Sequence, residues 1–406
     1  MKKKILITAG AIDVGGVERS LIGLLSAFDY EKYDVDLFLF SQKGEFFDLL
    51  PSKCRLLPED KRPASLYKSI RELIREKDFL AVLPRLAAKA YIALNVGVKK
   101  RERHKQGGAS LQQAYWDFSI KPIKALEKDY DAALSFIWPH HFVAKKVKAK
   151  VKLAWVHTDY NIVAIDKKRD EAIWQHFDKI AVVSDECGKI FKGVYPSLAS
   201  KVLTIENVLS KDHIINQADA FDPTQMQKEK GYKLLSVGRF CYQKAFGFSV
   251  EVCEKLCESY PDLRWYLIGY GDEEEKIKEK IKALAMEENF IVLGKKKNPY
   301  PYMKACDIYI QASRNEGKSV AIREAQILGK PVLISDYETA GDQVRDGFDG
   351  IISKMDLESL TFDIRNLIED KALRQELTKN TLLSDYENLN ALEIIYNLVD
   401  KAVAQE

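Results

Sequence analysis

Two doubly wound α/β sheets, one in each half of the chain and facing each other across a cleft, are the fold class that this sequence predicts. Short runs rich in β-branched and aromatic residues alternate with stretches of helical apolar spacing through both halves. Glycine or charge repeatedly follows those runs, at the strand ends where open α/β sheets bind ligands. Between the halves, residues 207–231 lose apolar periodicity, gather polar side chains and contain Asp222-Pro223, the signature of an interdomain connection. A length of 406 residues also exceeds one ordinary core.

In the first half, strands are expected over 4–9 and 35–40, with a helix over 16–28 between them. Lys2-Lys-Lys4 before an apolar run superficially suggests a signal peptide, but the run ends at Gly10 without a sustained apolar core, so a first strand is the expectation. Further strands are expected over 132–136, 151–157, 179–183 and 202–205, with a helix over 186–194. Gly15-Gly16 opens the first helix without the spacing of the dinucleotide fingerprint. It is either a turn that lets phosphate or sugar approach or a plain tight turn. His157 ends a strand among polar neighbours, which marks it as a candidate site residue.

The second half reads strand 233–237, helix 248–260, strand 264–268, helix 273–286, strand 290–293 and helix 301–305. Strand 307–313 then runs through a turn and a helix to strand 331–335, with Gly329-Lys330-Pro331 as the helix stop. Four strand ends share one geometry. Gly238-Arg239 with Lys244 can clamp a diphosphate, the guanidinium bidentately and the ammonium as a point charge. Gly269-Tyr-Gly271 is a glycine turn. Gly294-Lys295 places main chain where a base edge can pair. Glu316-Gly317-Lys318-Ser319 leads into a helix carrying Glu324, with the amides of Gly317, Lys318 and Ser319 aimed at an anion. The tail over 386–406 is read as a helix returning to the first domain, which gives domains over 1–210 and 211–385.

The net charge of +3 conceals a basic segment, 61–125, with 15 Lys/Arg against 5 Asp/Glu. Leu66, Ile70, Leu73 and Ile74, then Leu80, Leu83, Leu86 and Ala90, recur there at helical spacing. Such a stretch either lies on an anionic membrane surface or is a pair of helices with basic polar faces. The aromatic and glycine signatures of nucleic-acid modules are missing, so no nucleic-acid partner is expected. The longest apolar runs fall short of the roughly 18 residues of a membrane span. Six scattered cysteines have neither zinc-ligand nor disulfide-framework spacing, which suits a reducing cytoplasm.

Together, Gly238-Arg239…Lys244, Gly269-x-Gly271, Leu293-Gly294 and Ser313-Arg-Asn-Glu316-Gly317…Glu324-Ala325…Gly329-x-Pro331-Val332 resemble the family-4 retaining glycosyltransferases of the GT-B fold. Bacterial capsular and exopolysaccharide enzymes are the nearest look-alikes, through Asn298-Pro-Tyr-Pro-Tyr302 and Glu316-Gly-Lys-Ser319. The resemblance implies an acceptor-side first domain and a second domain that binds a nucleotide-diphospho-sugar, commonly a UDP-hexose. It implies Arg239 and Lys244 on the leaving diphosphate, Glu316 and His157 at the sugar, and Glu324 on the ribose hydroxyls. The amides of Gly317 to Ser319 would contact sugar or phosphate, and Gly15-Gly16 would approach phosphate or acceptor. The diphosphate donor is a co-substrate; no cofactor and no metal are called for. The acceptor would be a saccharide or a polyprenyl-linked saccharide, and the location the cytoplasm or the inner membrane face. Ala245 departs from a glycine common in the family, and only Asn207 remains of its Asn-Gly-Val-Asp segment. The rival reading of a non-catalytic partner subunit is disfavoured by the retained clamp residues, as is a same-fold epimerase or phosphorylase.

Overall fold

The computed structural model describes residues 2–95, 109–161, 163, 165–226 and 231–404. Two compact units share the chain: Met1–Asp13, Leu24–Glu206 and Leu389–Glu406 form the first, and Val14–Gly23 with Asn207–Asn388 the second. The chain therefore changes unit at 206/207 and 388/389, where the sequence suggests 210/211 and 385/386. One difference is larger. Residues Val14–Gly23, read as part of the first domain, cluster with the second.

The first unit is built on seven parallel strands: β1 Lys3–Ala9, β2 Tyr33–Leu39, β3 Arg55–Leu56, β4 Tyr130–Ser135, β5 Ala149–Val156, β6 Lys179–Val182 and β7 Val202–Thr204. Their order is β3-β2-β1-β4-β5-β6-β7, so winding reverses between β1 and β4. The last helix, Asn390–Ala404, belongs to this unit. Tyr396 stacks on Tyr33 at 4.5 Å and accepts the Asp29 amide at 2.7 Å. The basic segment folds in this unit as helices Lys61–Ala64, Ile70–Arg75, Phe79–Asn95 and Ala109–Ser119.

Six parallel strands organise the second unit: β8 Lys233–Val237, β9 Arg264–Ile268, β10 Phe290–Gly294, β11 Ile308–Gln311, β12 Val332–Ser335 and β13 Ile351–Ser353. The order is β10-β9-β8-β11-β12-β13, with the reversal between β8 and β11. Helices cover both faces, and the strands accordingly are apolar on both sides. Leu235, Tyr266, Ile268, Tyr309, Val332 and Ile334 pack into one core. The alternate residues Leu234, Trp265, Leu267, Ile308, Ile310 and Leu333 pack into the other. The expected connection over 207–231 is corrected: Lys211–Ala218 is a helix, capped by Ser210 accepting the His213 amide and buried through Ile214 and Ala218. All six cysteines are free thiols.

Candidate functional site

The strand order sets β10, β9, β8 and β11 side by side, so the four loops singled out by sequence leave one sheet edge as neighbours. The first two interlock. The amides of Gly238 and Phe240 donate to the carbonyls of Ile268 and Tyr270 at 3.0 and 2.8 Å. Gly269 and Gly271 both have positive φ, and a Cβ on either would collide with the Gly238 or Phe240 carbonyl. The Gly-x-Gly pair is therefore what lets the Arg239 loop lie flat, anchored by the buried Phe240 ring. Arg239 itself is exposed. Gly294 takes φ +73° at a register shift between β10 and β9, and Lys295 lies over the Tyr270 ring at 4.6 Å.

Lys244 ends a short 3₁₀ turn, Tyr242–Lys244, and Ala245 follows in the left-handed region at φ +50°. That conformation is the physical reason a glycine suits this position. The helix Phe246–Cys257 starts immediately after. Lys244 Nζ meets Glu316 Oε1 at 2.5 Å, and Ser313 Oγ donates to the same oxygen at 2.6 Å. Beneath them runs a chain of side chains. Tyr309 OH donates to Gln311 Oε1 at 3.0 Å, and Gln311 Nε2 donates to Ser313 Oγ at 3.0 Å. Thr339 Oγ1 donates to the Glu316 carbonyl at 2.8 Å. Glu316 is thus presented by a fixed turn, with a cation against its carboxylate.

The helix after this turn begins at Val320, later than the turn's glycine suggests. Of the three amides expected to face an anion, that of Ser319 donates to Gln343 Oε1 at 3.0 Å, and Gln343 returns a bond to the Ser319 carbonyl. Gly317 and Lys318 lie in the turn just before it. Glu324, one turn into the helix, is fully buried. Arg19 Nη1 donates to both its oxygens, at 3.0 and 2.8 Å, and Tyr300 OH donates to Oε1 at 2.7 Å. Burial opposes the Arg19 charge, but Glu324 and the neighbouring phenols outweigh it and its pKa rises. A carboxylate offers about four acceptor sites. Among the described residues three are occupied, two on Oε1 and one on Oε2.

Sequence reasoning gives Arg19 no role, and misses Tyr300, Ser313 and Gln343 as site residues. Arg19 comes from the segment that clusters with the second unit. A Cβ on Gly16 would lie 3.6 Å from Val320, and Tyr270 OH donates to the Val14 carbonyl at 3.1 Å. Gly15 abuts its own Glu18 side chain. Asn207 accepts the Ser20 hydroxyl at 2.6 Å, which accounts for the retained asparagine. Asn298 fixes Tyr300 by accepting its amide at 3.1 Å.

His157 stands in the first unit, just past β5. Its Nε2 is 2.8 Å from the Phe136 carbonyl, so Nε2 carries the proton and Nδ1 is an acceptor. Burial drives its pKa down from 6.5 to about 4, against the carbonyl bond that raises it. The ring is neutral at pH 7 and suited to accept a hydrogen bond from a hydroxyl. Among the described residues, no group of three His, Cys, Asp or Glu is placed to hold a metal ion.

Residues 218–383 match the family of group 1 glycosyl transferases. The amylovoran biosynthesis glycosyltransferase AmsD of Erwinia amylovora is 27% identical over 175 residues, 42% of this chain and 48% of that protein. The N-acetylgalactosamine-N,N'-diacetylbacillosaminyl-diphospho-undecaprenol 4-alpha-N-acetylgalactosaminyltransferase of Campylobacter jejuni is 28% identical over 144 residues, 35% of this chain and 39% of that protein. The chain spans about half or less of the length of these relatives. Anabaena HepE, solved with UDP and glucose, shares 15% identity with a TM-score of 0.69 over 98% of this chain and 99% of that one. That likeness shows the fold, GT-B, with a Rossmann-like sheet in each unit.

Proposed function

We propose that this chain, whose residues 218–383 form a group 1 glycosyl transferase domain, moves a sugar from a nucleotide-diphospho-sugar to a saccharide or polyprenyl-linked saccharide, with retention of configuration. A UDP-hexose is the donor class, and a bacterial surface polysaccharide the product. The observation that carries this reading is the meeting of Lys244 with Glu316 at the edge from which four adjacent loops emerge. The names of the relatives, an exopolysaccharide enzyme and a transferase acting on a diphospho-undecaprenol sugar, support the acceptor class.

In this mechanism the donor diphosphate displaces Glu316 as the counter-charge of Lys244, and Arg239 swings onto it from the exposed loop. The charge of the leaving diphosphate is held by these two side chains rather than by a metal, at the point where it develops. Glu316, released from Lys244 and still bound by Ser313, turns to a sugar hydroxyl. Glu324 Oε2 takes one ribose hydroxyl. His157 Nδ1 accepts from a sugar hydroxyl. The acceptor hydroxyl attacks from the face the diphosphate leaves, and a departing phosphate oxygen takes its proton. The two glutamates are not the acid/base pair of a glycosidase, because Glu324 is already committed to Arg19 and Tyr300. The chain acts on the cytoplasmic side, at the inner membrane face where a polyprenyl-linked acceptor is displayed.

The test is a panel of nucleotide sugars offered to the purified chain, with released nucleoside diphosphate as the readout. UDP release from a UDP-hexose is expected, with the anomeric configuration of the product read by NMR. No release from any donor, with or without acceptor, favours the partner-subunit reading instead.

A further inference from the structure

The basic segment of the first unit holds none of the residues assigned to the transfer chemistry, yet it carries the most concentrated exposed apolar surface among the described residues. Phe79, Leu80, Leu83 and Leu86 of helix Phe79–Asn95 are 61%, 65%, 60% and 50% exposed. Ala87 and Ala90 are exposed as well. At 100° per residue these six positions fall within one sector of the helix, about 120° wide. The other side, through Ala81, Val82 and Ala88, is buried, and Ala81 and Val82 pack against Leu73 of helix Ile70–Arg75. The helix therefore turns its small side chains inward and its large ones to solvent. Single exposed leucines need no explanation, but a continuous stripe of them marks a contact surface.

The surroundings of the stripe identify what covers it. Residues 61–95 hold eight Lys/Arg against three Asp/Glu. The three acids are engaged locally: Glu72 in the capping box with Ser69, Glu76 with Lys68 at 2.7 Å, and Asp78 with Arg62 at 2.9 Å. Arg71 and Arg75 are exposed cations on the same face of their helix as the half-exposed Ile74, and Lys89 follows Leu86 by one turn. A second copy meeting this face would oppose one basic rim to another. An anionic lipid surface neutralises the rim while the leucines enter the acyl boundary. No helix among the described residues is long and apolar enough to cross a membrane. We infer that the exposed face of helices Ile70–Arg75 and Phe79–Asn95 is an interfacial binding surface for anionic phospholipid, which seats the chain on a membrane in-plane.

This inference stands apart from the transferase reading, and its test involves no turnover. The full chain is sedimented with phosphatidylcholine vesicles and with vesicles containing phosphatidylglycerol. Binding to the anionic vesicles that weakens as salt rises is expected. Leu80→Glu/Leu83→Glu should lower the partition coefficient by at least about tenfold, because two apolar contacts become like charges to the lipid. Arg71→Glu/Arg75→Glu should abolish the preference for anionic vesicles. Both double variants should keep the wild-type melting temperature, since the altered side chains are exposed. Wild-type protein left in the supernatant, or equal sedimentation of wild type and Leu80→Glu/Leu83→Glu, overturns the inference. So does a concentration-dependent dimer in ultracentrifugation that the leucine variant dissolves, because the face would then belong to a second copy.

Discussion

Glu316 and Glu324 are separated by eight positions on one segment, and their surroundings differ in kind. Glu324 has no exposed surface, receives Arg19 on both oxygens and Tyr300 on one, and sits inside a helix. Glu316 lies in the turn before that helix, retains some solvent contact and meets a single lysine that comes from another loop. The first arrangement is a carboxylate fixed by buried partners, with acceptor capacity left on Oε2. The second is a pair held by one contact, which a charged ligand can open. Residue type and segment are the same for both, so the division of labour comes from what packs around each carboxylate.

The largest effect should come from Arg19→Ala. It strips a buried carboxylate of its cation and should cost about 3–5 kcal/mol of stability, read by urea denaturation. Adding Glu324→Gln should return part of that loss, since the uncompensated charge is gone. A loss under about 1 kcal/mol in the single variant would show that Arg19 does not balance a buried charge at Glu324. Lys244→Ala reverses the pattern: donor turnover should fall on the order of 100- to 1,000-fold, with at most about 1–2 kcal/mol lost from the fold. If Lys244→Ala and Arg19→Ala were equally destabilising, the contrast between the two glutamates would collapse. The smallest effect concerns the hinge of the lysine loop. Ala245→Gly should stabilise the chain by about 0.5–1 kcal/mol by relieving the left-handed alanine, measured as a rise in denaturation midpoint.

Much of this arrangement is legible in the sequence. Five strands of the second sheet are, because their runs are apolar and alternate with helical spacing; β13, only three residues long, is not. Adjacency of the four loops also follows once the halves are read as doubly wound. The partner of Glu324 is not legible, since Arg19 lies 305 positions away and its pairing depends on where residues 14–23 fold. Helix Lys211–Ala218 is too short and polar to stand out, and only its cap and its docking through Ile214 make it form. The stripe Leu80, Leu83, Leu86 and Ala90 is readable as a periodicity, but periodicity states that a face exists without stating which way it points.

The excursion of Val14–Gly23 into the second unit has a practical outcome for anyone who divides this protein. A fragment cut at Asn207 and Asn388 keeps every strand of its sheet yet leaves behind the guanidinium that balances Glu324. Such a piece should be a poor autonomous folder until a peptide carrying Arg19 and Ser20 is supplied in trans. The ten residues would then act as a complementing ligand, binding to the fragment that the intact chain serves by covalent linkage.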